Sequence, residues 1–120
     1  MKLTLPLPPN RANAREHWRA THKKKVAYYQ RAKLALYAQC GVMQDEALER
    51  PTLTATLYVW NFYDPDGATA LLKWPIDCLV SYGILVDDSM KHLDFTQIPR
   101  QVIDRKNRRV VITLTPIGGP

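Results

Sequence analysis

Asp64-Pro65-Asp66 and Asp87-Asp88 place carboxylates in two short runs of a chain that is otherwise basic, with a net charge of +6 and a sequence pI near 9.5. Carboxylates brought together repel one another, so gathering them is costly without compensation. A hard divalent cation supplies it, because Mg²⁺ takes a few carboxylates and keeps places for water and substrate phosphate oxygens. Such a cation activates a water and stabilises a phosphorane-like transition state. Lys73 follows Asp66 at the spacing of two helical turns, which puts both on one face if the segment is one helix. Its ammonium would bind a scissile phosphate or a leaving oxygen. Asp77, one turn further along that face, would hold Lys73 by an ion pair.

Each of these residues also has an ordinary structural use. Asp64 or Asp66 can cap the helix that follows, with Pro65 in its first turn. Asp87 and Asp88 suit a turn, and Lys73–Asp77 suits a solvated helix pair of little energy. Taken alone, the Asp-Pro-Asp run favours the cap. Capping does not exclude ligation, since a carboxylate has several lone pairs.

The surrounding pattern indicates which elements carry these side chains. Lys2–Leu7 reads as a short strand, which Pro6, Pro8 and Pro9 make an edge strand or an entry segment. Asn10–Ala20 is a polar, arginine-rich loop. A helix is predicted from about His22, with Thr21 as N-cap, towards Ala47, weakened at Gly41. Tyr29, Ala32, Leu36, Cys40 and Met43 form its apolar stripe. Thr52–Trp60 alternates as a strand with Leu53, Ala55, Leu57 and Val59 on one side. A second helix covers about Gly67–Tyr82, kinked or restricted by Pro75 and ended by Gly83. Thr96–Asp104 and Arg108–Thr115 read as a β-hairpin turning at Asp104–Asn107. The order β-α-β-α-β-β predicts a small single α+β domain, 1–120, with two main helices on a mixed β-sheet. A return segment beside the Thr52–Trp60 strand would bring Asp88 close to Asp64 and Asp66.

The run Asp64-Pro65-Asp66, then Lys73 and Asp77, then Gly83-Ile84-Leu85-Val86-Asp87-Asp88 resembles the core of the RusA family of Holliday junction resolvases, especially its phage and prophage members. The opening Leu5-Pro6-Leu7-Pro8-Pro9-Asn10 and the closing basic hairpin are also similar to that family, so the resemblance covers most of the chain. It implies a homodimer that binds four-way DNA junctions and nicks two opposed strands with Mg²⁺ or Mn²⁺. Carried over by position, the metal ligands are Asp64, Asp66 and Asp88, and Lys73 is the catalytic lysine. One departure stands out. The family pattern usually has Asn after the second aspartate, and Gly67 here removes an amide that would support the cluster.

Positive charge falls in two stretches. Arg11, Arg15, Arg19, Lys23, Lys24, Lys25, Arg31 and Lys33 make the first, with His17, Trp18 and His22 interleaved. Arg100, Arg105, Lys106, Arg108 and Arg109 make the second. Flanking the acidic runs, they suit a phosphate-binding surface, and Arg11, Arg15, Arg19, Lys23, Lys24, Lys25, Arg105 and Lys106 are the candidate DNA contacts. The histidines would touch phosphate or solvent rather than metal. The chain has no Gly-rich phosphate loop, zinc spacing or serine or cysteine nucleophile motif, which argues against a nucleotide-binding enzyme. Cys40 and Cys78 read as buried reduced thiols. With no opening apolar run and no stretch near the roughly 20 residues of a membrane span, a cytoplasmic protein is expected, in the bacterial host if phage-encoded. A branched-DNA-binding protein that does not cut is the alternative, separated from a nuclease by the carboxylates.

Binding to DNA is expected to weaken steeply between low and physiological salt as basic groups release counterions. Charge reversal at Arg15, Arg19 or Lys24 should weaken it across DNA sequences. Filter binding over a salt series checks both, and salt-insensitive binding would show these cations to be merely solvated.

Overall fold

The computed structural model describes residues 1–9, 18–42 and 46–116. Strands β1 (Lys2–Pro6), β2 (Thr52–Val59), β3 (Arg100–Ile103) and β4 (Arg109–Thr115) form one sheet in the spatial order β1-β4-β2-β3. Helices α1 (Trp18–Cys40), α2 (Pro65–Ala70) and α3 (Lys73–Ser81) complete the α+β fold. The predicted order of strands and helices holds, with the second helix divided in two.

Period-two alternation buries one face of the sheet. Leu53, Leu57 and Val59 of β2 lie inward with Leu3 and Leu5 of β1 and Val110, Ile112 and Leu114 of β4, all essentially inaccessible to solvent. Register places Leu5, Val110 and Leu57 in one row and Leu3, Ile112 and Ala55 in the next. Helix α1 covers this face through Tyr28, Ala32 and Leu36, which recur every four residues. Helix α3 adds Trp74, Ile76, Cys78 and Leu79. Tyr28 is buried and donates its hydroxyl to the Pro6 carbonyl at 2.8 Å, so its one polar atom is satisfied. Tyr28, rather than Tyr29, lies on the core side of α1, and Tyr29 packs only partly against the core.

Three expectations are corrected. First, α1 already includes Trp18, so Thr21 lies within the helix and is not its cap, and Trp18–Ala20 are not loop. The helix stops at Cys40 because Gly41 takes φ +76°, a turn of the backbone that favours glycine. Residues 10–17, Met43 and 117–120 lie outside the described residues.

Second, the segment after Asp64 is not one helix. Helix α2 ends at Ala70, Leu71 and Leu72 form the junction, and α3 restarts at Lys73. Pro75 explains the restart. Inside a continuous helix its ring would collide with the carbonyl four residues earlier, whereas in the first turn of α3 its missing N–H is not needed. Gly83, at φ +82°, ends α3, and the Ile84 N–H then bonds to the Leu79 carbonyl at 3.0 Å.

Third, β3 and β4 are not a hairpin. Strand β4 runs antiparallel to both β1 and β2, and β3 pairs in parallel with the other edge of β2. The alternating apolar residues of β4 fill the inner position, while the short, largely exposed β3 takes an edge. The segment 104–108 therefore passes over the end of β2, where the Asp104 N–H bonds to the Val59 carbonyl at 2.9 Å. No described helix is long and apolar enough to cross a membrane.

Leu57 is fully buried in the central strand. Leu57→Ala is expected to cost about 2–5 kcal/mol of unfolding free energy through lost apolar burial and the cavity left behind. Urea denaturation of the two proteins measures it.

Candidate active site and nucleic-acid interface

The first acidic run lies past the C-terminal end of β2. Asp64 caps α2: its Oδ1 accepts from the Gly67 N–H at 2.7 Å, and Pro65 occupies the first turn. Gly67 makes this cap possible, because a Cβ there would stand 2.7 Å from Asp64 Oδ1 and force the carboxylate to move. One oxygen of Asp64 is thus committed to the helix end. Asp66 is exposed in the first turn of α2.

Lys73 and Asp88 meet elsewhere. Both line a cavity of about 240 Å³ with Thr69, Leu72, Ile76 and Phe95 among its walls. The Asp88 segment turns tightly, with the Asp88 N–H on Asp87 Oδ1 at 2.8 Å and the His92 and Leu93 N–H groups on the Ser89 carbonyl at 2.9 Å. Hydrogen bonds from Asp88 (its backbone N–H above all) and Ser89, with the His92 charge nearby, hold the Asp87 carboxyl below the usual carboxylate range.

The return segment is anchored beside the start of β2, not its end. Leu85 bridges to Leu48 and Asp94 to Thr52, and Arg50 Nε donates to the Met90 carbonyl at 2.8 Å. Asp64 and Asp66 lie beyond the opposite end. Asp88 itself reaches the cavity wall formed by Thr69 of α2, and among the described residues no group of three or more His, Cys, Asp or Glu is arranged to hold a metal ion. Lys73 and Asp88 thus line one cavity, and among the described residues Asp64, Asp66 and Asp88 do not form one metal-holding cluster. Nor does Asp77 hold Lys73. Asp77 Oδ2 instead accepts from the Tyr29 hydroxyl at 3.2 Å, and burial together with that carboxylate raises the Tyr29 phenol pKa. Because α2 and α3 are separate helices, Asp66 and Lys73 share no continuous helical face.

A larger cavity, about 640 Å³, opens between α1 and the segment that joins β3 to β4. Lys24 and Arg31 project into it from α1, and Arg105, Lys106 and Arg108 from the joining segment. No acidic side chain is among its described lining residues. Arg105 is held in place: Nε donates to the Trp60 carbonyl and Nη2 to Asn61 Oδ1, both at 3.1 Å, and its Cζ stands 5.1 Å from the Trp60 ring centroid. Arg108 lies over the same ring at 5.9 Å. Asp104 organises the segment by accepting from the Lys106 and Asn107 N–H groups and from Arg109 Nη1 at 3.0 Å. Tyr63, on the wall nearest Asp64, is clamped by Gln101, which accepts from its N–H at 2.8 Å and donates to its carbonyl at 2.9 Å.

Of the candidate DNA contacts, Lys24, Arg105 and Lys106 line this cavity. Arg19, Lys23 and Lys25 do not, since neighbouring helix positions turn away from one another. Lys25 lies over Tyr29 at 5.4 Å and Arg19 over Trp18 at 5.5 Å. Arg11, Arg15 and His17 lie outside the described residues. Arg31, Arg108 and Tyr63 were not among the candidates. The signal for Arg31 is its seven-residue spacing from Lys24, which sets both on one face of α1. Cys40 and Cys78 are free thiols, half-buried and buried, and burial pushes the Cys78 thiol up to about 12, far from a reactive thiolate.

Comparison with family models finds no match, and comparison with curated proteins finds none either.

The Arg109 hydrogen bond, aided by the Lys106 and Asn107 N–H groups, holds the Asp104 carboxyl below its usual range. A depressed carboxylate pKa stabilises the fold above the unfolded-state value, about 3.9, and that contribution is lost as pH falls through the folded-state value. Carboxyl NMR titration should therefore give Asp104 a midpoint below that of an ordinary aspartate, and Arg109→Leu should move it upward.

Proposed function

We propose that this protein is a metal-dependent, structure-specific endodeoxyribonuclease of the RusA type, which resolves four-way DNA junctions by paired nicks in recombination and repair. The observation that carries the reading is the shared cavity of Lys73 and Asp88, one helical segment away from Asp64 and Asp66 and on the same molecule as a cation-lined groove. A lysine and carboxylates on the same molecule as a cation-lined surface suit phosphodiester hydrolysis better than binding alone.

The donor types fit Mg²⁺ or Mn²⁺, being carboxylate oxygens on exposed side chains. Asp64 and Asp66 would hold the ion, with Asp64 keeping one oxygen on the cap and offering the other, and Asp88, which stands outside their cluster in this structure, would have to approach to join them. When bound, the ion supplies a nucleophilic water and charge neutralisation at the scissile phosphate. The chain's own groups do the rest. Lys73 binds a non-bridging or leaving oxygen, and the basic groove positions the strand. As a homodimer the protein would present two such sites to the opposed strands of one junction, working in the cytoplasm on branched DNA as its partner.

The separation of Asp88 from Asp64 and Asp66 favours a second reading, a branched-DNA-binding protein that does not cut. Incubation of the purified protein with a labelled four-way junction, with and without Mg²⁺, decides between them. Under the nuclease reading Asp64→Asn, Asp66→Asn and Asp88→Asn abolish cleavage and leave junction binding intact or tighter, because a phosphate-repelling charge is removed. Three variants that all cut at the native rate would discard these ligands. Sedimentation at micromolar concentration is expected to show a dimer without DNA, and a strict monomer would remove coordinated resolution.

A further inference from the structure

We propose that the 640 Å³ cavity between α1 and the segment joining β3 to β4 seats a single, unpaired nucleic-acid strand by its phosphates, with Tyr63 at the end that leads to Asp64. The inference rests on the reading of the protein as acting on branched DNA and names the part of the branch it grips.

Charge is the first ground. Arg31, Arg105, Lys106 and Arg108 converge from two separate elements, with no carboxylate among the described lining residues. Like charges so gathered call for an anionic occupant. Two facing cationic rims match a chain of phosphates better than one compact anion.

Size is the second. Cavities of about 300–1,000 Å³ hold one drug-sized molecule, which is the bulk of a nucleotide unit and far less than a stretch of duplex. A double helix would rest on the rims and leave the cavity unfilled.

The wall is the third. Pro8 and Tyr63 offer flat apolar surface, and a base stacks on such a surface whatever its sequence. Tyr63 is fixed at both backbone groups by Gln101, and Arg105 by Trp60 and Asn61, so little ordering is needed on binding. Buried Tyr28 closes the floor, its hydroxyl turned to the Pro6 carbonyl.

The position is the fourth. Tyr63 precedes the capping Asp64 directly, so a strand leaving the cavity at that end meets the first acidic run. A junction or flap exposes unpaired nucleotides at its branch point, whereas an intact duplex does not.

The test uses the full chain in EDTA, so it is independent of cleavage. Fluorescence anisotropy is read with a labelled oligothymidine of about six nucleotides and, separately, with a blunt duplex. Arg31→Glu and Lys106→Glu change exposed side chains and should weaken oligothymidine binding about tenfold or more, with a shallower salt dependence and a smaller loss on duplex. Lys2→Glu, at the far end of β1, should bind as the unaltered protein does. Independently of any variant, oligothymidine carrying 5-iodouracil should crosslink to Tyr63, located by mass spectrometry. Equal losses on single strand and duplex, or unchanged binding with no crosslink at Tyr63, would overturn the proposal. Single-strand binding here without Mg²⁺-dependent junction cleavage would sink the nuclease reading and leave this one standing. Cleavage without cavity binding would do the reverse.

Discussion

The fold depends on the two-sided pairing of β2. It is the only described strand that joins an antiparallel neighbour, β4, to a parallel one, β3. Its inner face is sealed by Leu53, Leu57 and Val59, which are all but inaccessible. A strand held on both edges and one face has no freedom of register, because a one-residue slip would turn its apolar set outward. The loop that leaves it, Trp60–Tyr63, is therefore launched from a fixed point. The first acidic run and the basic cavity are both built on that loop: Asp64 at its end caps α2, and Trp60, Asn61 and Tyr63 support the cavity.

The segment joining β3 to β4, packed against that loop, shows how opposite charges are kept apart in a small molecule. Asp104 sits within a basic segment, yet its oxygens are turned on Arg109 and on two backbone N–H groups. Arg109 in turn lies 3.7 Å from the Tyr58 ring centroid, on the sheet. The acid stabilises its own turn and leaves Arg105, Lys106 and Arg108 to face the cavity. On the other side of Tyr63, the Asp64 carboxylate is drawn to the α2 N–H groups, where the helix dipole favours it.

Much of the fold was legible in the sequence, and the reasons are local. The strict alternation of Thr52–Val59 and of Val110, Ile112 and Leu114 states both the strand and its buried face. Gly83 and Pro75 state a stop and a disturbance. Pairing partners were less legible. Two adjacent strands with a turn between them imply a hairpin, but which edge a strand takes is decided by tertiary burial, and only the inner position suits the apolar β4. The site suffered from the same gap. Spacing singled out Lys73 and Asp88, and they share a cavity. Spacing could not say that the Asp88 segment is tied to Thr52 rather than to the far end of the strand, since that rests on the long-range Asp94 contacts. Among the basic residues, a run such as Lys23-Lys24-Lys25 reads as one patch, yet a helix spreads it over different faces.

The strand order carries a consequence for how the chain comes together in time. Among the described strands β1 is synthesised first, and its neighbour in the sheet is β4, the last of the four. Strand β2 likewise waits for β3 and β4 on its two edges. No pair of strands adjacent in the sequence up to β3 can close a hairpin, so local sheet formation offers no early nucleus on the ribosome. The apolar faces of β1 and β2 gain their shared sheet partner only when Arg109–Thr115 is present between them. High sequence separation of this kind slows folding and lengthens the exposure of unpaired edges, so the nascent chain is most vulnerable to aggregation before β4 emerges.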